Sequence, residues 1–352
     1  MKSETKLVPV IVVNWNGIDD TLECVRSVLE STYTDFKIFL VDNGSRNGEG
    51  QRLLQTFREE EHVNVICLQE NLGFTKANCQ IVEEFLNDEI KYFVLLNNDV
   101  VVESNWLSSL IQAADAEKAQ VVSSKLILHS ERSLMDNAGH KMLNTGEILP
   151  IGHRRSTEDF NSSFENVGAC AAACLYSMQM IREIGFFDEY FTTGYEDAEF
   201  GLRAFVSGSK CIYAPRAIAY HKGGQSINKI FDVSYARMIQ GRIWYTYFKL
   251  MPWPVILVGL PFILLKFLVL LLLNLLFLRF KHLKIMFGAC GDVARDLRII
   301  GRARRTFFKG IKPRTSWDIL RNQTFFLPYD FHRFVRIYLK KKPSALDHYG
   351  SD

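Results

Sequence analysis

Over the first 120 residues, short apolar runs alternate with segments whose apolar residues recur at helical spacing. Short apolar runs predict strands at 10–15, 36–41, 63–68 and 92–96. The segments between them have apolar residues at helical spacing, which predicts helices at 22–29, 49–60, 75–86 and 106–116. Asp19 or Asp20 is a candidate N-cap of the first helix. Strands that are apolar on both faces and alternate with helices predict an α/β fold with a doubly wound parallel sheet.

Polar residues follow each predicted strand. The clusters are Asn14-Trp15-Asn16-Gly17, Asp42-Asn43-Gly44-Ser45, Asn71-Leu72-Gly73 and Asn97-Asn98-Asp99. Asn, Asp and Gly are ordinary turn residues, so each cluster alone is also explained as a turn. In open α/β sheets, however, ligands bind outside the carboxyl ends of the strands. Four such clusters therefore predict a binding crevice along one edge of the sheet.

The pattern changes after about residue 168. A segment rich in small residues leads into a short helix, and a second helix is predicted to begin at Glu196-Asp197. "KCIYAPRAIAYHKGG" is predicted to form two strands. The polar segment 125–165 is predicted to be an irregular loop over a ligand.

Six motifs in order resemble a known family: "VVNWNG", "VDNGS", "NLGF", "LLNNDV", "GFFDEYFTTGYEDAEFGLRA" and "AYHKGGQS", between about residues 8 and 226. Together they resemble the inverting family-2 glycosyltransferases of the GT-A fold, especially the bacterial rhamnosyltransferase-like branch. The resemblance implies transfer of a sugar from a dTDP- or UDP-sugar donor to a hydroxyl of a lipid-linked or cell-surface glycan, as in cell-wall polysaccharide biosynthesis. Rhamnose is the sugar this branch suggests, and galactose- or hexosamine-type donors are alternatives.

The resemblance implies a metal site in this crevice. Negative charge builds on the pyrophosphate as the glycosidic bond breaks, and a divalent cation stabilises it. Asp99 offers a hard oxygen ligand for Mg²⁺ or Mn²⁺. The family motif is usually DxD, whereas this chain has Asn97 at the first position. A histidine at the place of His221 joins the metal in related enzymes.

Donor binding is assigned to residues at the strand ends. Asp42 resembles the carboxylate that accepts the ring N–H of uracil or thymine, and an Asx-turn is its alternative role. The remaining predicted donor-binding residues are Asn14, Trp15, Asn16, Asn71, Asn97 and Asn98.

Asp197 matches the catalytic carboxylate of the family. Inverting transfer needs a base within ~3 Å of the attacking hydroxyl. A helix N-terminus favours the ionised carboxylate there. Tyr195 and Glu196 are assigned to the acceptor side of the site.

A long apolar run occupies residues 253–280 and is interrupted strongly only by Lys266 and Asn274. One membrane span needs ~20 apolar residues, and two would need ~40. A single span would put the two flanks on opposite sides, whereas the following basic residues indicate a cytoplasmic tail. Pro254 and Pro261 are expected to break the first part. We therefore expect a re-entrant or in-plane element on the cytoplasmic face of the cell membrane, with a buried core helix, a single span or a homo-oligomer interface as alternatives.

Composition and charge bear on the partners and the cellular environment of the protein. The net charge of +3 gives no reason to expect a nucleic-acid partner. Seven cysteines without a CxxC pair predict reduced thiols and a cytosolic environment. "LVPVIVVNW" is predicted to be the first strand and not a signal peptide. The predicted domains are a catalytic domain (1–230), a membrane-associated helical region (231–315) and a tail (316–352).

Three other functions deserve comparison with sugar transfer. A nucleotidyltransferase usually opens with a GxGTR-like loop, which "VVNWNG" does not match. A non-catalytic membrane scaffold would be expected to have lost Asp99 or Asp197, and both are present. A processive polysaccharide synthase would need a QxxRW motif and several spans, whereas "QGRIW" has its arginine one place early.

Overall fold

The computed structural model describes residues 7–223 and 232–334, the last three of them through their backbone only. Alternating strands and helices form its first part. They are β1 (Val8–Asn14), α1 (Ile18–Leu29), β2 (Phe36–Asp42), α2 (Glu49–Thr56), β3 (Val63–Cys67), α3 (Gly73–Glu84), β4 (Tyr92–Asn97), β5 (Val100–Val102) and α4 (Trp106–Glu117). The predicted elements are therefore present, with ends shifted by up to four residues.

The N-cap of α1 differs from the prediction. Gly17 occupies that position without a side-chain cap, and Asp19 and Asp20 lie within the first helical turn. Carboxylates in a first turn still interact favourably with the partial positive charge of a helix N-terminus.

The second part of the chain completes the sheet. It contains β6 (Val121–Leu128), β7 (Met135–Asn137), β8 (His140–Leu143), β9 (Ile148–Pro150), a 3₁₀ turn (Thr157–Asp159), β10 (Phe164–Glu165), β11 (Ala173–Ser177), α5 (Met178–Ile184), α6 (Glu196–Val206) and β12 (Cys211–His221). Segment 125–165 contains the end of β6, four short strands and a 3₁₀ turn joined by loops, so the prediction of one irregular loop was wrong. Similarly, β12 is one strand with an irregularity between Ala214 and Ile218, not a strand pair.

Within the described residues, the main sheet has the strand order β10-β12-β6-β11-β4-β1-β2-β3. Strands β3, β2, β1 and β4 are parallel, as predicted. Strand β11 is antiparallel to both β4 and β6, so the sheet is mixed and the prediction of a parallel sheet holds for only one half. The direction of a strand buried on both faces leaves no mark in its apolar pattern.

The last described part is helical: α7 (Val233–Leu250), α8 (Trp253–Leu276), α9 (Phe280–Gly310), α10 (Ser316–Arg321) and α11 (Leu327–Phe334), with β13 (Gln323–Thr324) between the last two. Helix α8 continues through Pro261, so the expected break does not occur. Pro254 lies in its first turn, where a missing N–H costs little.

The chain divides into two compact units. Unit 1 comprises residues 1–140, 151–205 and 209–223, and unit 2 comprises 141–150, 206–208 and 224–352. In unit 2, β8 pairs with both β9 and β13. The predicted domain limits stay a prediction, and residues 335–352 of the predicted tail lie outside the described residues.

Candidate active site

The carboxyl ends of β1 and β2 meet at Asn14 and Asp42, which are partners in the strand register. Both side chains are buried. Asn14 Nδ2 donates to Asp42 Oδ1 at 2.7 Å, and Asn14 Oδ1 accepts from Thr21 Oγ1 at 2.7 Å. Asp42 Oδ2 accepts from the backbone N–H of Ser45 at 3.3 Å, which is the Asx-turn contact. These two predicted donor-binding residues therefore form a polar anchor at the carboxyl ends of β1 and β2.

The loops after β2 and β3 are joined by amide side chains. Asn43 Nδ2 donates to Asn71 Oδ1 at 3.0 Å, and Asn43 Oδ1 accepts from the N–H of Leu72 at 2.9 Å. Gly44 has a φ of +66°, and a Cβ there would lie 2.4 Å from the carbonyl carbon of Glu70. The turn needs glycine because both the backbone conformation and the space exclude a side chain.

Trp15 and Asn16 occupy the loop after β1. Trp15 is an exposed aromatic residue, 45% accessible, and Asn16 has a φ of 53°. Asn16 Oδ1 accepts from the N–H of Arg46 at 2.8 Å. The exposed indole of Trp15 offers a flat apolar surface at the end of the sheet.

The loop after β4 carries Asn97, Asn98 and Asp99, all partly accessible. Asn98 Nδ2 donates to Thr21 Oγ1 at 2.9 Å, which links it to the anchor around Asn14. The backbone O of Asp99 accepts from Lys222 N–H at 3.0 Å, so the ends of β4 and β12 are joined. All four predicted polar clusters thus lie along one edge of the sheet.

Asp99 and His221 are neighbours, with 3.3 Å between Asp99 Oδ1 and His221 Nε2. His221 Nδ1 lies 2.7 Å from Asp136 Oδ2, and Asp136 Oδ1 lies 3.1 Å from His153 Nδ1. Burial would lower the pKa of His221, but its hydrogen bonds to Asp136 and Asp99 outweigh burial and raise that pKa to about 10. Burial would raise the pKa of Asp136, but both histidines hold it well below its ordinary value.

Metal-ligand chemistry fits this pair. Across residues 7–223 and 232–334, no group of three or more His, Cys, Asp or Glu side chains forms a metal cluster. Mg²⁺ and Mn²⁺ bound with phosphates often take only one or two protein ligands, and the remaining positions go to phosphate oxygens and water. A carboxylate oxygen and an imidazole nitrogen at 3.3 Å are suited to that arrangement.

Asp197 is positioned by the segment between β10 and β11. Asp197 Oδ2 accepts from the N–H of Ala171 at 3.2 Å. The next residue, Ala172, accepts the N–H of Asn97 at 2.8 Å through its backbone O. The start of α6 and the end of β4 are therefore bonded to two adjacent residues. This brings the predicted base and the predicted metal loop to the same edge.

The residue before the acidic pair is strained. Tyr195 has a φ of 73°, a conformation that non-glycine residues seldom adopt and that often marks functional sites. Glu196 is buried at 7% exposure, while Asp197 stays partly accessible. Tyr195 and Glu196 adjoin the candidate base, and their acceptor-side roles stay predictions.

Helix α6 is fixed by an arginine. Arg203 makes an ion pair of 2.9 Å with Glu199, as the i,i+4 spacing predicts, and both side chains are buried. Its remaining N–H groups donate to the backbone O atoms of Ile184 and Phe186. The apolar side chains of Ala198, Leu202 and Phe205 on the same helix are buried as well.

Four residues around the site were not predicted from the sequence. Asp136 and His153 support His221, while Glu49 accepts N–H groups from Asn14 and Gly17 at 3.1 Å. The fourth residue is buried His140, whose pKa is affected by burial and by the negative charge of Asp197. Burial lowers the pKa of His140, and the negative charge of Asp197 works in the opposite direction. His140 and His153 are conspicuous in the sequence, but nothing in their spacing indicates these partners.

Comparison with known proteins agrees with this architecture. The model of the family described as glycosyl transferase family 2 matches residues 10–185, half of the chain. The glycosyltransferase GlyG of Streptococcus pneumoniae serotype 4 is 23% identical over 248 residues, covering 67% of this chain and 77% of that protein. The O-antigen biosynthesis protein RfbC of Myxococcus xanthus is 26% identical over 259 residues, covering 69% of this chain but only 19% of that protein.

Solved structures share the fold, and one of them serves as an example. It is the crystal structure of GalNAc-T7 with UDP, GalNAc and Mn²⁺, with a TM-score of 0.53 and 14% identity, covering 68% of this chain and 50% of that one. The mixed sheet is thus of the GT-A type. With that fold and the match over half of its length, the chain belongs to glycosyl transferase family 2 and is a glycosyltransferase.

Proposed function

We propose that this protein is an inverting glycosyltransferase that uses a UDP- or dTDP-sugar, with rhamnose among the candidate sugars. It would transfer the sugar to a hydroxyl of a lipid-linked or cell-surface glycan. One observation carries the proposal: partly accessible Asp197 is fixed through Ala171 and Ala172 to the strand that ends at Asn97. The base and the phosphate-binding loop of this proposal are thereby anchored to two adjacent residues.

The roles follow from position. Asp42 and the residues of the β1 loop would hold the base of the nucleotide, with Trp15 as its aromatic surface. Asp99 and His221 would hold Mg²⁺ or Mn²⁺, which would neutralise charge on the departing diphosphate. Asp197 would take the proton of the acceptor hydroxyl as that oxygen attacks the anomeric carbon. Attack opposite the leaving diphosphate inverts that carbon.

The test is the substitution Asp197→Asn. Because the amide keeps the shape but cannot accept the proton, transfer should fall by ~10²-fold or more while donor affinity stays nearly unchanged. Asp159→Asn, on the surface of the same unit, is the matched control. The measurements are donor binding by calorimetry and transfer by release of UDP or dTDP, after a panel of nucleotide sugars has identified the donor. Unchanged transfer in Asp197→Asn would exclude it as the base.

We also propose that the protein acts at the cytoplasmic surface of a cell membrane. Among the described residues, one helix, α8, is long and apolar enough to cross a bilayer. Its leucines at 257, 264, 268 and 272 are exposed at helical spacing. Lys266, halfway along the opposite, packed face, pairs with Glu147 and lies 2.9 Å from Asp330. A charged lysine with two carboxylate partners on that face is not suited to lipid contact, which favours an in-plane helix over a span.

A further inference from the structure

The residue that supports His221 lies at an irregularity in the sheet. Strand β7 pairs with the end of β6, but the register passes from Leu126↔Asn137 to Ile127↔Met135. Asp136 is therefore the extra residue of a β-bulge. Such bulges redirect a side chain and occur often next to active sites. Strand β12 pairs with the same end of β6 and finishes at His221.

The carboxylate of Asp136 is held between two imidazoles. His221 Nδ1 lies 2.7 Å from Oδ2, and His153 Nδ1 lies 3.1 Å from Oδ1. His153 Nδ1 is also 3.1 Å from the backbone O of Asp136, so it faces both the carboxylate and the carbonyl group of that residue. The three side chains are each between 14 and 21% exposed. Their geometry is therefore set by one another more than by water.

A carboxylate on Nδ1 has a definite effect on the other imidazole nitrogen. In the neutral imidazole that binds a metal, it fixes the Nδ1–H tautomer, leaves a lone pair on Nε2 and sets the orientation of the ring. In His221 that Nε2 is the atom that lies 3.3 Å from Asp99 Oδ1. Carboxylate–histidine pairs of this kind tune many metal sites, and losing the carboxylate typically costs 10- to 100-fold in metal affinity or activity.

We propose that Asp136 is a positioning residue for sugar transfer: with His153 as its anchor, it holds the His221 ring so that Nε2 and Asp99 together form the divalent-cation site. The inference rests on the proposed function, because it takes Asp99 and His221 as the cation ligands. Asp136 itself does not contact the cation or the donor in this role. Its effect passes through the orientation and tautomer of His221.

The test compares Asp136→Asn and Asp136→Ala with wild type and with Asp159→Asn, whose carboxylate pairs with Arg155 at the surface. Mn²⁺ affinity of the full-length protein is measured from the electron paramagnetic resonance signal of free Mn²⁺, with UDP or dTDP present. Alanine should weaken Mn²⁺ binding by ~10- to 100-fold. Asparagine should weaken it less, because its carbonyl can still accept the Nδ1–H. Asp159→Asn should bind like wild type.

Two further measurements distinguish a positioning role of Asp136 from a role in the stability of the fold alone. At saturating Mn²⁺ the kcat of Asp136→Asn should return close to the wild-type value. Only the Mn²⁺ concentration that gives half-maximal transfer should be higher than in wild type. Nitrogen-15 spectra with Mg²⁺ should show the Nδ1–H tautomer of His221 in wild type and its loss in the alanine variant. If alanine prevents folding, His153→Gln is compared instead, and it should weaken Mn²⁺ binding as Asp136→Asn does.

Wild-type Mn²⁺ affinity in a folded Asp136→Ala protein would overturn the proposal and leave Asp136 a structural ion-pair partner. Full sugar transfer by the wild type in EDTA would also overturn it, since the cation site would then have no role. A wild type that turns over no nucleotide sugar, with the expected order of Mn²⁺ affinities in the variants, would refute the proposed function alone.

Discussion

His221 lies between the carboxylates of Asp99 and Asp136, and without a metal this makes the residue a pH-dependent part of the fold. Its pKa in the folded chain, about 10, is above the ordinary value of 6.5. A raised pKa means that the ion pairs contribute fully below about pH 6.5 and lose their contribution as the pH rises through 10. The pKa of Asp136 is depressed, so that carboxylate stays ionised throughout this range.

We therefore expect the stability advantage of wild type over His221→Gln to shrink between pH 7 and pH 10 when EDTA is present. Urea unfolding at several pH values measures it. The comparison of two variants cancels most other titrating groups. An advantage that stays constant over this range would contradict the ion-paired state of His221.

Asp99 can be tested separately from His221. Asp99→Ala should weaken binding of the metal–donor complex, and excess Mn²⁺ should restore part of the transfer, because His221 and the phosphates remain as ligands. Asp115→Ala is the matched control, since Asp115 bonds to Tyr92 at the opposite end of β4. Titration of transfer rate against Mn²⁺ is the measurement. Equal Mn²⁺ requirements in wild type and Asp99→Ala would remove Asp99 from the metal site.

Single residues could be predicted where they end a strand. Asn14, Asp42 and Asp99 end or directly follow apolar strands, so the hydrophobic pattern places them at one edge. Asp197 was assigned from the family resemblance and not from this pattern. Asp136 could not be found this way, because its partner His221 is 85 positions away and the bulge that aims it depends on strand pairing. The burial of Arg203 with Glu199 was likewise hidden, since the spacing indicates contact but not exposure.

Helix α6 owes its position to a close approach of two glycines. A Cβ on Gly201 would lie 2.6 Å from the Cα of Gly168, which belongs to the segment that leads to Ala171. Gly201→Ala should therefore displace α6 or this segment and destabilise the protein by ~1–3 kcal/mol. Transfer should fall as well, because Asp197 bonds to Ala171.

Gly301→Ala is the matched control for that helix substitution. Gly301 lies within α9, where an added Cβ would meet nothing within 4 Å. Alanine should stabilise that helix by up to ~1 kcal/mol and leave transfer unchanged. Thermal unfolding and transfer assays on the two variants measure both effects. A Gly201→Ala protein as stable as wild type would show that the glycine contact is not required.

The types of elements were largely predictable, whereas their partners were not. Strands β1 to β4 with their helices follow from period and turn residues. The antiparallel direction of β11 depends on connections that span tens of residues, and the pairing of β8 with β13 joins residues about 180 positions apart. Such contacts are decided by the packing of the whole chain, so a linear reading misses them.

The same limit applies to the two compact units. Residues 141–150 belong with the C-terminal helices in unit 2, although they interrupt the sequence of unit 1. Lys266 illustrates the reason: it appears as one charge in an apolar run, but its partner Glu147 comes from this distant hairpin. Nothing in the linear order of the sequence indicates that pairing.

Membrane attachment is the property that involves the molecule as a whole. Burying a leucine side chain contributes ~2 kcal/mol, so the exposed leucines of α8 should hold the full-length protein on a bilayer. Each basic residue near an anionic surface adds ~1 kcal/mol, and salt screens that part. Exposed Arg298, Arg302 and Arg305 of α9 are suited to this contribution. High salt should therefore loosen binding to phosphatidylserine vesicles without releasing the protein, and detergent should release it.

The variant Leu264→Gln/Leu268→Gln/Leu272→Gln should lose most vesicle binding while keeping the wild-type melting temperature, because all three side chains are more than half exposed. Leu54→Gln, at a 39% exposed leucine of unit 1, is the control and should bind like wild type. Flotation of vesicles on a density gradient measures the bound fraction. Transfer to a lipid-linked acceptor should fall more than donor hydrolysis, since only the acceptor lies in the membrane. If the wild-type protein stays in the supernatant without detergent, the exposed face of α8 serves contact between protein chains, and the membrane assignment is wrong.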